Sequence, residues 1–298
     1  MKQLSGLDAA FIHQESPRTP MHVSPVLIYE PCVGSSSGLD IATVRQAFAD
    51  SLPKSPILTQ KLLSLPMGMD EPYWVADKKF DLNKHVSEHT LPEPGDWQQL
   101  KALLARLHGS GLDLKKPLWH AFLITGLDNI EGLPAGSSAL MLKIHHAAID
   151  GVSLAHLITA LHETPEDDPE LPAAAEHQNP DQVEMWGRAN IKHWTRSLKM
   201  MDTVSKLIPA VSKLRELETP ANFSSKTANK RTRFNTGVTR GRVIGSLQIQ
   251  MRDLKAIKRG VRRVTLNDIA VSIVGGALRE YLQVHNELPK ASLVCGEQ

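Results

Sequence analysis

The chain has 298 residues, of which 41% are hydrophobic and 22% are charged, a composition typical of a soluble globular protein with a real core. No apolar run reaches the roughly 18 residues that span a bilayer, and the amino-terminal segment lacks the long apolar stretch of a secretory signal. The net charge of +2 hides an asymmetry: residues 1–185 carry 13 basic and 24 acidic side chains, whereas residues 186–263 carry 19 basic and 4 acidic ones. Such a basic segment predicts a polyanionic partner, which could be a membrane surface, a nucleotide phosphate or nucleic acid.

The first third of the chain alternates strand and helix patterns. Residues 22–30 (HVSPVLIYE) predict a β-strand with an irregularity at Pro25, which has no backbone N–H to donate. Asp40 is a candidate N-cap for a helix that ends near Ser51. Residues 96–108 place four leucines at helical spacing and predict an amphipathic helix.

Two strands follow in close succession. Residues 118–125 (LWHAFLIT) and 138–144 (SALMLKI) flank a turn-rich connection. The second is almost continuously apolar, as expected of an interior strand covered on both faces. It runs directly into HHAAIDG at 145–151, after which residues 152–162 have helical periodicity.

The second half of the chain is less regular. Its predicted order is an acidic, proline-rich linker at 163–181, a long helix at 183–218, a polar basic loop at 219–240, a strand at 242–251, and helices at 252–260 and 267–285. Its one cysteine, Cys295, and the distant Cys32 match no metal or redox spacing. Two free thiols in a reducing compartment are the expectation, which places the protein in the cytoplasm.

The HHAAIDG segment carries the candidate chemistry. Because side chains alternate across a strand, His145 and His146 are expected to face opposite sides and not to converge on one metal ion. One imidazole can then face a cavity while the other is buried. Asp150 can turn back to orient the loop or bind an arginine, and Gly151 allows a sharp turn into the next helix. Taken alone, the pair favours two structural core histidines beside an Asp-Gly turn over a catalytic site.

The complete pattern has a family resemblance. HHxxxDG at 145–151 resembles the signature of the CoA-dependent acyltransferase superfamily, which includes chloramphenicol acetyltransferase. Four further segments resemble bacterial wax ester synthase/diacylglycerol acyltransferases in matching order: LDAAFIHQES–PRTPMHV at 7–23, PLW at 117–119, ITGLD at 124–128 and TLNDI at 265–269. The resemblance begins near residue 4 and extends over essentially the whole chain.

This resemblance implies the fold and domain plan. The fold class expected is α/β (an α+β sandwich): a chloramphenicol acetyltransferase-like domain whose mixed sheet is flanked by helices. Residues 1–162 would form the amino-terminal acyltransferase domain, and residues 163–240 the linker, basic helix and loop. Residues 241–298 would end that domain and begin a second, truncated one, since family members continue further.

The resemblance also implies site roles. His146 would be the general base that takes the proton of an acceptor hydroxyl, without an acyl-enzyme. His145 would support it, Asp150 would orient the loop, and Gly151 would leave room for substrate. Asn267 is a candidate substrate-binding residue, whereas Asp268 is expected to be a helix N-cap. No cofactor is expected beyond acyl-CoA as a substrate, and the acceptor would be diacylglycerol or a fatty alcohol.

Three alternatives stay open at this point. The basic helix at 183–218 suits either a membrane or lipid-inclusion surface or docking on the core, and nucleic acid is not expected because no binding motif accompanies the charge. The basic cluster at 226–242 could instead meet CoA phosphates. The chain could also be a catalytically silent half that binds lipid surfaces or a partner, or a condensation-type acyltransferase that uses a carrier-protein thioester.

His120 follows the PLW segment where the family usually has an acidic residue.

Overall fold

The structure is a computed structural model that describes residues 2–32, 38–64, 70–149, 151–162, 232–261 and 263–289. The described residues fall into two compact units. Of the described residues, the first unit holds 2–162 and 238–244, and the second holds 232–237 and 245–289. The predicted linker at 163–181, the basic helix at 183–218 and Asp150 lie outside the described residues.

The first unit contains eight strands and four α-helices among its described residues. Its strands are β1 (Lys2–Gln3), β2 (His22–Val23), β3 (Val26–Tyr29), β4 (Gln60–Leu63), β5 (Tyr73–Ala76), β6 (Val86–Thr90), β7 (Trp119–Leu127) and β8 (Ser137–His145). Its helices are α1 (Gly6–Gln14), α2 (Ile41–Ser51), α3 (Trp97–Gly109) and α4 (Gly151–Ala160). Helices α5 (Met251–Gly260) and α6 (Leu266–Val284) belong to the second unit.

The main sheet is mixed and is centred on β8. Strands β7 and β8 pair antiparallel, β6 pairs parallel with β7, and β2 and β3 both pair antiparallel with the other edge of β8. The predicted strand at 22–30 is thus confirmed, with its interruption at Pro25 between β2 and β3. Strands β1, β5 and β4 form a separate small antiparallel sheet.

Apolar side chains cover both faces of β8, and all nine of its residues are buried. One face packs against α2, where Phe48 stacks on Trp119. The other face packs against the leucines of α3, all four of which are buried. This two-sided burial explains why the strand reads as a continuous apolar run and confirms that it is interior.

Side-chain caps set the starts of the helices. Asp40 accepts the Thr43 N–H at 2.9 Å and begins α2, as predicted. Asp96 and Gln99 form a reciprocal capping box that begins α3. These caps bind orphan N–H groups of the first turn, so each helix begins where its polar cap precedes the apolar stripe.

The predicted strand at 242–251 is wrong. Residues 242–250 have no regular structure, and α5 begins at Met251. Val243 is 97% exposed and Leu247 is 74% exposed, and no strand in the described part of the chain pairs with either. An alternating apolar pattern becomes a strand only where a neighbouring strand satisfies its backbone groups.

The second unit pairs α5 with α6 and has its own polar contact. The Arg233 guanidinium donates to both carboxylate oxygens of Glu287, at 2.8 and 2.7 Å, and to the Tyr281 hydroxyl at 3.0 Å. Helix α6 begins at a capping box in which Thr265 is the N-cap and Asp268 its partner three residues on. The prediction that Asp268 is the N-cap is therefore wrong: Asp268 lies three residues after the N-cap, and its carboxylate accepts the Thr265 N–H.

Candidate active site

The two motif histidines lie where the interior strand ends. The His145 N–H donates to the Leu118 carbonyl at 3.0 Å, and the His146 N–H donates to the Met21 carbonyl at 2.9 Å. These bonds tie the end of β8 to the start of β7 on one side and to the residue before β2 on the other. The backbone that carries both imidazoles is therefore fixed from two sides.

His145 is fully buried and has two polar partners. Its Nδ1 accepts the Ala147 N–H at 3.0 Å, and its Nε2 lies 3.3 Å from Oε2 of Glu15. Burial, and then the neighbouring His146, lower the pKa of His145 to about 4. His145 is thus neutral at pH 7 and has the surroundings of a supporting group.

His146 has a more open environment. Its ring is half-buried and stacks on Phe11 of α1, with the ring centroids 5.0 Å apart and the planes 20° from parallel. Partial burial lowers the pKa of His146 below its usual 6.5. A neutral imidazole that is still half-exposed can accept a proton at neutral pH, which is the requirement for a general base.

A buried lysine lies two residues before the motif. Lys143 is 1% exposed, and its ammonium donates to the Leu107 carbonyl at 2.8 Å, to the Ser110 carbonyl, and to Ser110 Oγ at 3.0 Å. Burial lowers the pKa of Lys143 to about 8, while the Glu15 carboxylate opposes that shift. No sequence motif includes Lys143, although a lysine inside an otherwise apolar strand is a visible signal.

Glu15, Ser110, Lys143 and His145 form a polar cluster, and two further histidines border it. His22 is paired with His145 in the sheet register, and its Nε2–H donates to the His108 carbonyl at 2.7 Å. The His22 and His108 rings meet edge to face, with centroids 4.7 Å apart. Burial and the Lys143 charge lower the pKa of His22 to about 4, so it too is neutral at pH 7.

A groove of about 1330 Å³ opens beside the cluster within the first unit. Its walls are mainly apolar and come from the ends of α1 and α3 and from residues 240–244. Glu15, which contacts His145, and Ser110, which contacts Lys143, line the groove. Basic residues that include Arg106 and Arg242 line it as well. The groove therefore combines an apolar wall with cationic side chains next to the polar cluster.

The remaining predicted residues are distributed differently. Gly151 begins α4, whereas Asp150 lies outside the described residues. Asn267 is exposed in the first turn of α6 and belongs to the second unit. Trp119 of the PLW segment is 2% exposed, and its Nε1–H donates to the Leu58 carbonyl at 2.8 Å, so its side chain packs in the core.

Among the described residues, no three histidine, cysteine, aspartate or glutamate side chains group as metal ligands would. Every helix in the described ranges is too short or too polar to cross a bilayer. Cys32 is an exposed free thiol.

The mixed sheet flanked by helices, with a half-buried imidazole at the end of its interior strand, defines an α/β protein with a candidate general-base site. A family model described as the wax ester synthase/diacylglycerol acyltransferase catalytic domain matches residues 4–270. The chain therefore belongs to the wax ester synthase/diacylglycerol acyltransferase family, which confirms the resemblance found in the sequence.

Several relatives support this assignment. A Mycobacterium tuberculosis protein named "Putative diacyglycerol O-acyltransferase MT1809" is 31% identical over 300 residues, which cover 99% of this chain and 58% of the relative. A similarly named Mycobacterium bovis protein is 32% identical over 299 residues, covering 99% of this chain and 63% of the relative. The chain thus spans about 60% of the length of these relatives.

A solved structure supports the fold. The wax ester synthase/diacylglycerol acyltransferase from Marinobacter aquaeolei VT8 superposes with a TM-score of 0.61 and 22% identity, covering 97% of this chain and 62% of that one. The expected fold class, a chloramphenicol acetyltransferase-like mixed sheet flanked by helices, is confirmed.

Proposed function

We propose that this chain carries the catalytic motif of an O-acyltransferase that moves a long-chain fatty acyl group from acyl-CoA to diacylglycerol or a fatty alcohol. The observation that carries the proposal is His146: a half-buried imidazole, held neutral by its surroundings, at the end of an interior strand in a chain of this family. The family relationship supports the substrate classes, and the half-buried imidazole supports the choice of base.

In the proposed reaction His146 accepts the proton of the acceptor hydroxyl as that oxygen attacks the thioester carbonyl. The new C–O bond forms, the C–S bond breaks, and the imidazolium returns the proton to the departing CoA thiolate. The thioester is already activated, so no cofactor is needed beyond the acyl-CoA substrate. General-base assistance of this kind contributes about 10²–10⁴ in rate, and alignment of two bound substrates about 7–11 kcal/mol more.

The other motif residues take supporting roles in this proposal. His145 holds the strand end through its two hydrogen bonds. Asp150 orients the loop, Gly151 leaves room for the substrate, and Asn267 contacts it. The phosphates of CoA would be bound by the basic cluster at 226–242, and the support for this is that Arg240 and Arg242 line the apolar groove.

We also propose that the protein is cytoplasmic and associates peripherally with a membrane or lipid-inclusion surface. The support is the sequence of residues 183–218, in which tryptophans and aliphatic residues alternate with lysines and arginines. Apolar acceptors partition into such surfaces, so a chain bound there meets a higher local substrate concentration.

Ester synthesis tests the proposed activity directly. The chain is supplied with palmitoyl-CoA and either hexadecanol or dioleoylglycerol, and both ester and free thiol are measured. We expect ester and thiol in equal amounts from the wild type, and a 10²- to 10⁴-fold lower rate from His146→Ala. No ester with either acceptor overturns the activity, and an equal rate in the variant overturns the base role.

His162→Ala is a matched control for this substitution. His162 is exposed at the end of the helix that follows the motif, and its ring stacks on Tyr29 at 5.7 Å, much as His146 stacks on Phe11. Removal of this imidazole deletes a similar stacked pair without touching the strand end. We expect the ester synthesis rate of His162→Ala to equal that of the wild type.

A further inference from the structure

The carboxyl end of α1 contacts both motif histidines. Phe11 stacks on the His146 ring, and Glu15, which follows the helix and caps its end, places Oε2 3.3 Å from Nε2 of His145. Glu15 precedes His145 by 130 residues in sequence. One short helix therefore supplies a packing contact for one imidazole and a polar contact for the other.

Hydrogen-bond roles determine the tautomer of His145. Its Nδ1 accepts the backbone N–H of Ala147 at 3.0 Å, so that nitrogen carries no proton. A neutral imidazole has one N–H, which must then be on Nε2. This N–H points to the Glu15 carboxylate, which accepts it. The same tautomer lets His145 hold the backbone turn at Ala147 and the end of α1 at once.

We propose that Glu15 is a positioning residue of this acyltransferase site, whose carboxylate keeps His145 in the Nε2–H tautomer and thereby holds the turn that carries His146. This inference rests on the proposed function for its effect on rate. Its structural part concerns only contacts within the first unit.

Glu15 has two neighbours that favour its ionised, hydrogen-bond-accepting form. Its side chain is 11% exposed, and burial, the largest influence, raises the pKa of Glu15. A backbone hydrogen bond with Met21 and the positive charge of Lys143 oppose that shift and favour the ionised form. An ionised carboxylate can only accept, so it selects the protonated nitrogen of the imidazole it meets. Loss of this acceptor leaves a buried N–H without a partner, and such a group is costly.

The consequence for catalysis follows from the short connection to His146. His145 and His146 are consecutive, and two hydrogen bonds hold the turn that follows them: the Ala148 N–H donates to the His145 carbonyl at 2.9 Å, and the Ala147 N–H donates to Nδ1 of His145. If the other tautomer forms, its Nδ1–H opposes the Ala147 N–H, and the turn loses one of these two bonds. A displacement of about 1 Å at a reacting group can cost on the order of 10² in rate.

Histidine-labelled NMR of the full chain tests the structural part. The imidazole nitrogen shifts of His145 report which nitrogen carries the proton. We expect only the Nε2–H tautomer in the wild type, a mixture in Glu15→Ala, and mainly Nε2–H in Glu15→Gln, whose amide oxygen can still accept. Wild-type tautomer populations in Glu15→Ala overturn the inference, whatever the activity.

Steady-state kinetics on the same variants test the effect on the site. We expect kcat to fall about 10- to 100-fold in Glu15→Ala, with partial recovery in Glu15→Gln and little change in KM. Because Glu15 also lines the groove, a higher KM with unchanged kcat would assign it to substrate binding and overturn the positioning role. If the wild type makes no ester, the proposed function fails, while a tautomer change still supports Glu15 as the residue that holds His145.

Glu71→Gln is the matched control. Glu71 places Oε2 3.1 Å from Nε2 of His13, so the same unit holds a second glutamate–histidine pair, whose histidine belongs to α1. This pair is exposed at the surface and does not contact the motif. We expect Glu71→Gln to leave the His145 tautomer and the ester synthesis rate unchanged.

Discussion

Replacement of Lys143 by methionine removes a buried cation from the strand that carries the motif. The ammonium donates to the carbonyls of Leu107 and Ser110 and to the Ser110 hydroxyl. Methionine keeps the unbranched stem and most of the volume, so Lys143→Met deletes the donors without opening a large cavity. The end of α3 then loses its contact with the charged group of β8.

The expected loss of stability follows from two opposing contributions. Hydrogen bonds from a charged donor contribute about 1.5–3 kcal/mol each, so three give about 5–9 kcal/mol. Against this, the pKa of Lys143 falls from 10.5 to about 8, so the charge costs about 3 kcal/mol in the folded state. Because Leu107 also accepts from the Ser110 hydroxyl, we expect the low end: a loss of about 2–3 kcal/mol in the free energy of unfolding at pH 7.

The pH dependence of this difference has a definite sign. Between pH 8 and 10.5 the unfolded chain keeps a proton on Lys143 that the folded chain has released. Through this group the wild type gains stability as pH rises across that window, by about 1.4 kcal/mol per pH unit, and the methionine variant does not. Urea unfolding followed by tryptophan fluorescence should therefore show a gap about 2 kcal/mol wider near pH 9.5 than at pH 7.

Lys61→Met is the control for charge removal as such. Lys61 forms an ion pair with Asp77 at 2.9 Å, but its side chain is 32% exposed. Partly exposed pairs contribute about 0–1 kcal/mol, and we expect Lys61→Met to lose no more than that. A Lys143→Met variant as stable as the wild type at both pH values would refute the reasoning, because the buried bonds would then contribute nothing beyond the cost of burying the charge.

Two further predictions concern stability. Burial holds the pKa values of His22 and His145 at about 4, so below pH 6.5 the unfolded chain binds protons that the folded chain excludes. The free energy of unfolding should fall by about 1.4 kcal/mol per pH unit for each histidine between pH 6.5 and 4, and equal urea midpoints at pH 7 and 5 would contradict this. Trp119→Phe deletes the hydrogen bond to the Leu58 carbonyl but keeps the stack on Phe48, and a thermal melt should show a loss of about 1–3 kcal/mol. An unchanged Tm would show that this bond adds nothing.

Local patterns predicted the elements around the motif well. The interior strand appears at Ser137–His145 against a predicted 138–144, because an apolar run covered on both faces is visible in the sequence itself. Helix α2 begins after Asp40 as predicted, since a cap and an apolar stripe are both local signals. Elements whose signals lie in residues adjacent in sequence could therefore be predicted without knowledge of the fold.

Contacts between distant segments could not be found in that way. Nothing in the sequence around Glu15 indicates that it meets His145, because the pairing depends on how α1 packs beside the end of β8. The predicted strand at 242–251 was wrong for a related reason: a strand needs a partner strand, and the periodicity of a sequence does not show whether one is present. The position of a site residue is local information, whereas its protonation state and its orientation depend on tertiary contacts.

The division of side chains on β8 connects these observations to the proposed chemistry. Leu142 and Ile144 belong to the apolar cluster on one face, whereas Lys143 and His145 alternate with them and are anchored by polar contacts. Apolar packing alone tolerates small shifts, but hydrogen bonds of fixed geometry do not. A strand held by both kinds of contact delivers His146 to one defined position, and a reaction whose main requirement is the alignment of two substrates gains most from such rigidity.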